Sequence, residues 1–246
     1  MGISVKPMDK AMAVKIVKFR IAYSVFLIFA AALLRADSYS SSDFHQTQII
    51  RAPIWVFLEV QPGVMESSEQ GPQLPPRQAL TELSKTVLEG MTYGWRFSYT
   101  PFDKRRNVAE TFELTALRSI APDDSRLSIT ELRPQYPYLY CWAEYRITEA
   151  MAHKRAEWFR IGSVTAKGSG SAERKREIEG IRQAYREAAL AAIRGHLRKA
   201  LKNKPQCVSG EMLIKDNPRL YASSGRFTAE LTVCVNITEI IPYEVF

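Results

Sequence analysis

Three histidines, three cysteines and one pair of adjacent aspartates are the residues from which a reactive centre would have to be built. His45 lies in a serine-rich stretch, His153 in a connecting segment and His196 on a basic helix. None has a second histidine or cysteine at metal-ligand spacing, and neither HExxH nor CxxC occurs. The stretch Gly162–Ser171 sits between an expected strand and an expected helix, a setting in which free backbone N–H groups can hold an anion. Its order is Lys167-Gly168, the reverse of a nucleotide-binding P-loop, so it reads as a joint whose Ser171 caps the next helix. No GxSxG elbow is present. Cys141 falls in an aromatic strand, where burial raises a thiol pKa and disfavours nucleophilic use. Asp123-Asp124 follows Pro122; paired acids can bind a cation or act in hydrolysis, but Pro-Asp-Asp is commonly turn chemistry. No catalytic, cofactor-binding or metal-ligating residue is assigned, and enzyme activity is not expected.

Residues suited to binding are easier to find. Tyr136, Tyr138, Tyr140 and Trp142 share one face of a strand, and Leu139, Cys141, Ala143 and Ile147 share the other. Such a strand is either central and covered on both sides, or it offers an aromatic platform to a glycan or a protein partner. Ala172–Lys204 reads as one long helix with ten Lys or Arg and four Glu, a net of +6. Its last part carries Arg194, Arg198, Lys199, Lys202 and Lys204 and no acid. These cations either answer the negative end of the helix dipole or form a contact patch for anionic lipid, an acidic protein or a wall polymer. Cys207 and Cys234 make a disulfide candidate. If Lys215 faces Arg226 across the last hairpin, the two cysteines are directly opposed, with Cα atoms about 4.5–5.5 Å apart.

The chain that positions these groups has 246 residues, 46% of them hydrophobic and 11% aromatic, enough for one or two domains with a real core. Three cysteines exclude a disulfide-dense scaffold. Residues 1–20 hold five cations and one acid, and a nearly unbroken apolar run follows from Ile21 to Leu34. Fourteen residues fall short of the ~20 that span a bilayer. Segment 1–36 is therefore expected to be a secretory signal ending at Ala36, or a retained N-terminal anchor, with Met12 as the better-proportioned start. Without it the chain has 28 basic and 25 acidic side chains, a net of +3 rather than +8. Its basicity is mostly that of the export segment, so nucleic acid is not an expected partner.

Residues 37–50 read as a flexible leader. Two α+β modules follow, 51–148 and 157–246, joined by a connector over 149–156. Each is expected to run strand, helix, strand, strand (βαββ), giving mostly antiparallel sheets and one long helix. The first has strands at Ile54–Val60, Trp95–Thr100, Val108–Leu117 and Tyr136–Thr148, with a helix over Arg77–Gly90 whose Leu80, Leu83, Val87, Leu88 and Met91 form one stripe. The second has strands at Trp158–Ala166, Val208–Lys215 and Arg226–Ile240, with Gly168–Ser171 as a loop. Trp55 precedes Arg77-Gln78-Ala79 much as Trp158 precedes Arg182-Gln183-Ala184, and Arg146-Ile-Thr-Glu answers Asn236-Ile-Thr-Glu. An internal duplication is expected, with Ser119–Gln135 inserted in the first copy. The functional expectation is an exported, non-catalytic envelope protein acting as scaffold, adaptor or assembly factor through an envelope protein partner. The alternative is a binding module for wall glycan or anionic lipid, using Tyr138, Tyr140, Trp142, Arg194, Arg198 and Lys199.

Overall fold

The computed structural model describes residues 48–59, 74–160, 163–174 and 177–243. The expected export segment, nearly all of the expected leader and most of the loop before Pro76 lie outside these residues. Strand β1 (Gln48–Phe57) buries Ile50, Ala52, Ile54 and Val56 on one side. It starts inside the expected leader, because Gln48, Ile49 and Ile50 already pair with Ile147, Arg146 and Tyr145. Helix α1 (Pro76–Thr92) opens with proline in its first turn, where the missing N–H costs nothing. Its stripe of Leu80, Leu83, Val87, Leu88 and Met91 is buried as the spacing predicts.

Strands β2 (Trp95–Thr100), β3 (Thr111–Ala116), β4 (Leu127–Gln135) and β5 (Tyr138–Ile147) complete the first half. The expected insertion thus contributes a strand of its own, β4. The expected connector is helix α2 (Glu149–Glu157), capped by the Thr148 side chain, which accepts from the Met151 amide. No residue of α2 is buried; Arg155 ties it down by donating from Nε to the Met91 carbonyl at 3.0 Å. Then follow β6 (Val164–Glu173), α3 (Glu177–Ala200), β7 (Cys207–Ile214), β8 (Arg219–Ser223) and β9 (Arg226–Ile241). Among the described residues no helix is long and apolar enough to cross a membrane.

All strand pairs are antiparallel, in a three-stranded sheet ordered β1-β5-β4 and a six-stranded sheet ordered β3-β2-β7-β9-β6, with β8 beside β9. The protein is α+β with one long helix. Its two halves do not each close a sheet. Both pair the strand before the long helix with the last strand of the half, β1 with β5 and β6 with β9. After that they diverge: β7 pairs with β9, the last strand of its half, whereas β2 pairs with β3 on one side and with β7 of the other half on the other. Trp55 lies within β1 while Trp158 caps the end of α2, so the matched tryptophans occupy different elements. The strand order therefore gives the expected duplication no support.

Two further corrections have clear physical causes. Gly168 and Gly170 belong to β6, not to a loop, and Ser171 does not cap a helix. Helix α3 lies so close over them that a Cβ at Gly168 would overlap the Ala188 carbonyl oxygen, and one at Gly170 would overlap the Ala188 amide nitrogen. These glycines serve close packing rather than turning. In the last hairpin, Ser224 and Gly225 take positive φ angles of 50° and 71°, the signature of a tight two-residue turn. That turn pairs β8 with the first five residues of β9 and leaves β7 the far end. Cys207 therefore faces Ile241 and Cys234 faces Leu213, and all three cysteines are free. The Cys207–Cys234 disulfide is not formed, because the assumed register omits β8.

Candidate functional site

Alternation along β1 and β5 brings Arg51, Trp55 and Phe57 onto the same face as Tyr138, Tyr140, Trp142 and Glu144. Trp55 faces Tyr140, and Phe57 faces Tyr138. The Tyr138 ring lies 4.9 Å from Trp55, 5.1 Å from Phe57 and 5.7 Å from Tyr140, centroid to centroid. Trp55 donates its indole N–H to the Leu220 carbonyl of β8 at 3.0 Å and packs 6.2 Å from Phe227. The guanidinium of Arg51 stands 4.3 Å over the Trp142 ring, and that of Arg174 stands 5.4 Å over Phe57. Arg51 also pairs with Glu131 and, from Nε at 2.9 Å, with Glu144. The opposite face of β5, Leu139, Cys141, Ala143, Tyr145 and Ile147, is fully buried. Tyr138, Tyr140 and Trp142 are half-buried, so this face is neither sealed nor an open platform. Tyr136, outside the strand, is 75% exposed.

The basic end of α3 divides into two parts. Arg194 holds Glu110 with both Nε, at 2.8 Å, and Nη2; Glu110 also accepts from the Tyr99 hydroxyl at 2.8 Å. Arg194 outweighs partial burial and holds the Glu110 carboxyl below the ordinary glutamate range. Burial, with that carboxylate beside it, pushes the Tyr99 phenol up. Arg198 and Lys199 are exposed, and among the described residues neither has an ion-pair partner. Arg198 lines a groove of about 520 Å³ between the helix end and the β2–β3 connection; Lys199 does not. Across it Lys204 donates to the Phe102 carbonyl at 2.9 Å. Tyr99, at the end of β2, and Phe102 and Glu110, in the β2–β3 connection, had no motif to mark them, since they lie about ninety residues away in sequence.

The remaining candidates do not converge on chemistry. Asp124 binds Arg126 through both oxygens at 2.9 and 2.7 Å and accepts from Tyr145 at 3.0 Å, whose hydroxyl also meets that of Tyr93 at 3.0 Å. Arg126 keeps the Asp124 carboxyl far below the usual aspartate range, and burial drives the Tyr145 phenol far up. This knot is structural, and Asp123 is exposed beside it. Burial pushes the Cys141 thiol up to about 11, and raises that of Cys234. His153 is exposed near Glu149. A second cleft, about 560 Å³, is lined by Glu157, His196, Glu211 and Cys234 among others. Glu211 is engaged by Arg96 at 3.2 Å, and among the described residues no hydrogen bond joins His196 to either carboxylate. Among them there is also no group of three metal-ligating side chains.

A protein-family model matches residues 38–243 of the chain. A protein of Treponema pallidum (strain Nichols), named only as an uncharacterized protein, is 40% identical over 227 residues, which cover 90% of this chain and 95% of that one. No solved structure matches the chain. The chain belongs to the family that this model and the Treponema pallidum protein represent.

Proposed function

We propose that the protein is exported to the cell envelope and works there without catalysis, as a scaffold or adaptor that docks a protein partner on the aromatic face of its three-stranded sheet. The observation that carries this reading is the composition of that face: tryptophan, tyrosine and arginine in mutual contact and half open to solvent. These are the residue types that anchor protein interfaces, because they supply large contact area with a polar handle at small entropic cost. A glycan fits the face less well. Sugar rings stack on free aromatic faces, and the guanidinium groups of Arg51 and Arg174 already occupy those of Trp142 and Phe57. Export is supported by the basic and then apolar order of residues 1–34, and by the family match beginning at residue 38, just past it.

A photo-crosslinking residue at Tyr136, at the rim of the face, should give a discrete adduct in intact cells, while one at exposed Lys154 on α2 should not. Equal adducts from both positions, or none from either, would remove the docking face. The intact mass of protein recovered from the envelope tests export separately, and residence in the cytoplasm would sink it.

A further inference from the structure

The groove at the end of α3 joins uncompensated positive charge to exposed apolar surface. We infer that it binds an amphiphilic anion, a phosphate or carboxylate head joined to an apolar body. Four cations line it (Arg194, Arg198, Lys202 and Lys204) against one acid, Glu110, a net lining charge of +3. Glu110 is committed to Arg194 and Tyr99 and stays ionised, which neutralises Arg194. The excess sits on Arg198, Lys202 and Lys204. A helix C-terminus presents only about half a negative charge, so the dipole accounts for a fraction of this cluster.

The apolar half comes from the walls. Phe102 is 55% exposed, and Leu197 and Leu201 line the same space. A bare oxyanion would use the cations and leave Phe102 in water; an amphiphile uses both. The volume of about 520 Å³ lies within the ~300–1,000 Å³ typical of small-molecule sites. The groove shares no residue with the aromatic face, so this inference stands apart from the docking proposal.

The test is calorimetric titration of the full-length chain with dodecyl phosphate, below its micelle concentration, and with inorganic phosphate. Dodecyl phosphate should bind at least about tenfold more tightly than inorganic phosphate, because its chain removes apolar surface from water. The double variant Arg198→Glu, Lys202→Glu should weaken it by about tenfold or more. Phe102→Ser should weaken dodecyl phosphate alone. Arg219→Glu, a single charge reversal at an exposed position of β8, should leave both titrations unchanged. Sedimentation with phosphatidylcholine vesicles, with and without phosphatidylglycerol, separates the two sources. Sedimentation that needs phosphatidylglycerol and is lost in the double variant places the head in a bilayer. Binding of the free amphiphile without sedimentation places it in solution. Equal affinity for the two phosphates, or dodecyl phosphate binding that survives the double variant, overturns the inference. All substituted positions are exposed, so an unchanged melting curve shows that a lost titration is a lost site.

Discussion

Helices α1 and α3 cover their sheets by opposite means. Helix α1 presents leucines and valine to β1 and β5, large side chains that hold helix and sheet apart and fill the gap. Helix α3 meets β6 through Ala188 and Ala192, and the strand answers with Gly168 and Gly170, so the backbones nearly touch. The first contact is stabilised by apolar volume; the second depends on the absence of it. A large side chain should therefore be indispensable under α1 and intolerable under α3.

The sharpest way to break that contrast is the pair Gly168→Val, Gly170→Val. Each new side chain must displace helix backbone rather than a movable side chain, so the cooperative melt seen by circular dichroism should disappear. A normal melt would show that the close contact is dispensable. Next in size is Leu83→Ala under α1, which leaves a cavity and should cost about 2–5 kcal/mol in a urea titration. Ala188→Leu should cost about 1–3 kcal/mol through overpacking; a neutral result would mean that α3 lifts off easily.

Of comparable size is Asp124→Ala, on the α1 side of the molecule, which strips Arg126 and Tyr145 of their acceptor and should cost about 1–3 kcal/mol. Its pH dependence has a defined sign. The folded carboxyl titrates below its unfolded value of ~3.9, so its stabilisation is complete above that value and fades as pH falls through it toward the folded one. The gap between wild type and variant should shrink in acid; a gap that stays constant would mean that Asp124 acts by shape alone. The smallest effect is Gly195→Ala, in the same α3 but with nothing within 4 Å of the new Cβ. It should stabilise the protein by about 0.5–1 kcal/mol. Destabilisation there would blur the distinction between the close-packed glycines of β6 and the open glycine of α3.

The same contrast explains what could be read in advance. The α1 stripe was legible because leucines at three- and four-residue spacing have one economical use. The run Lys167-Gly-Ser-Gly-Ser171 was not, because a turn and a strand under a touching helix call for the same small residues, and only the helix overhead tells them apart. The cysteine pairing failed for a related reason. Its arithmetic needs a register, and the register follows from the turn at Ser224-Gly225 and from β8, a strand of only five residues. At the basic helix end Arg194 and Arg198 stood out as an acid-free run. Glu110, which neutralises the first and leaves the second free, could not be assigned to either from 84 residues away.

By itself the sequence determined which faces are apolar, where charge accumulates, that helices and antiparallel strands alternate, and that a basic and apolar stretch stands at the amino terminus. These are properties of near neighbours, set by backbone periodicity. Tertiary structure alone decided that β2 crosses to β7, that two glycines lie beneath a helix, that three cysteines stay apart, and that one of two neighbouring arginines is spent in an ion pair. Each depends on which distant segments meet, and a chain of alternating side chains satisfies its local preferences equally well in several registers until burial of the whole selects one.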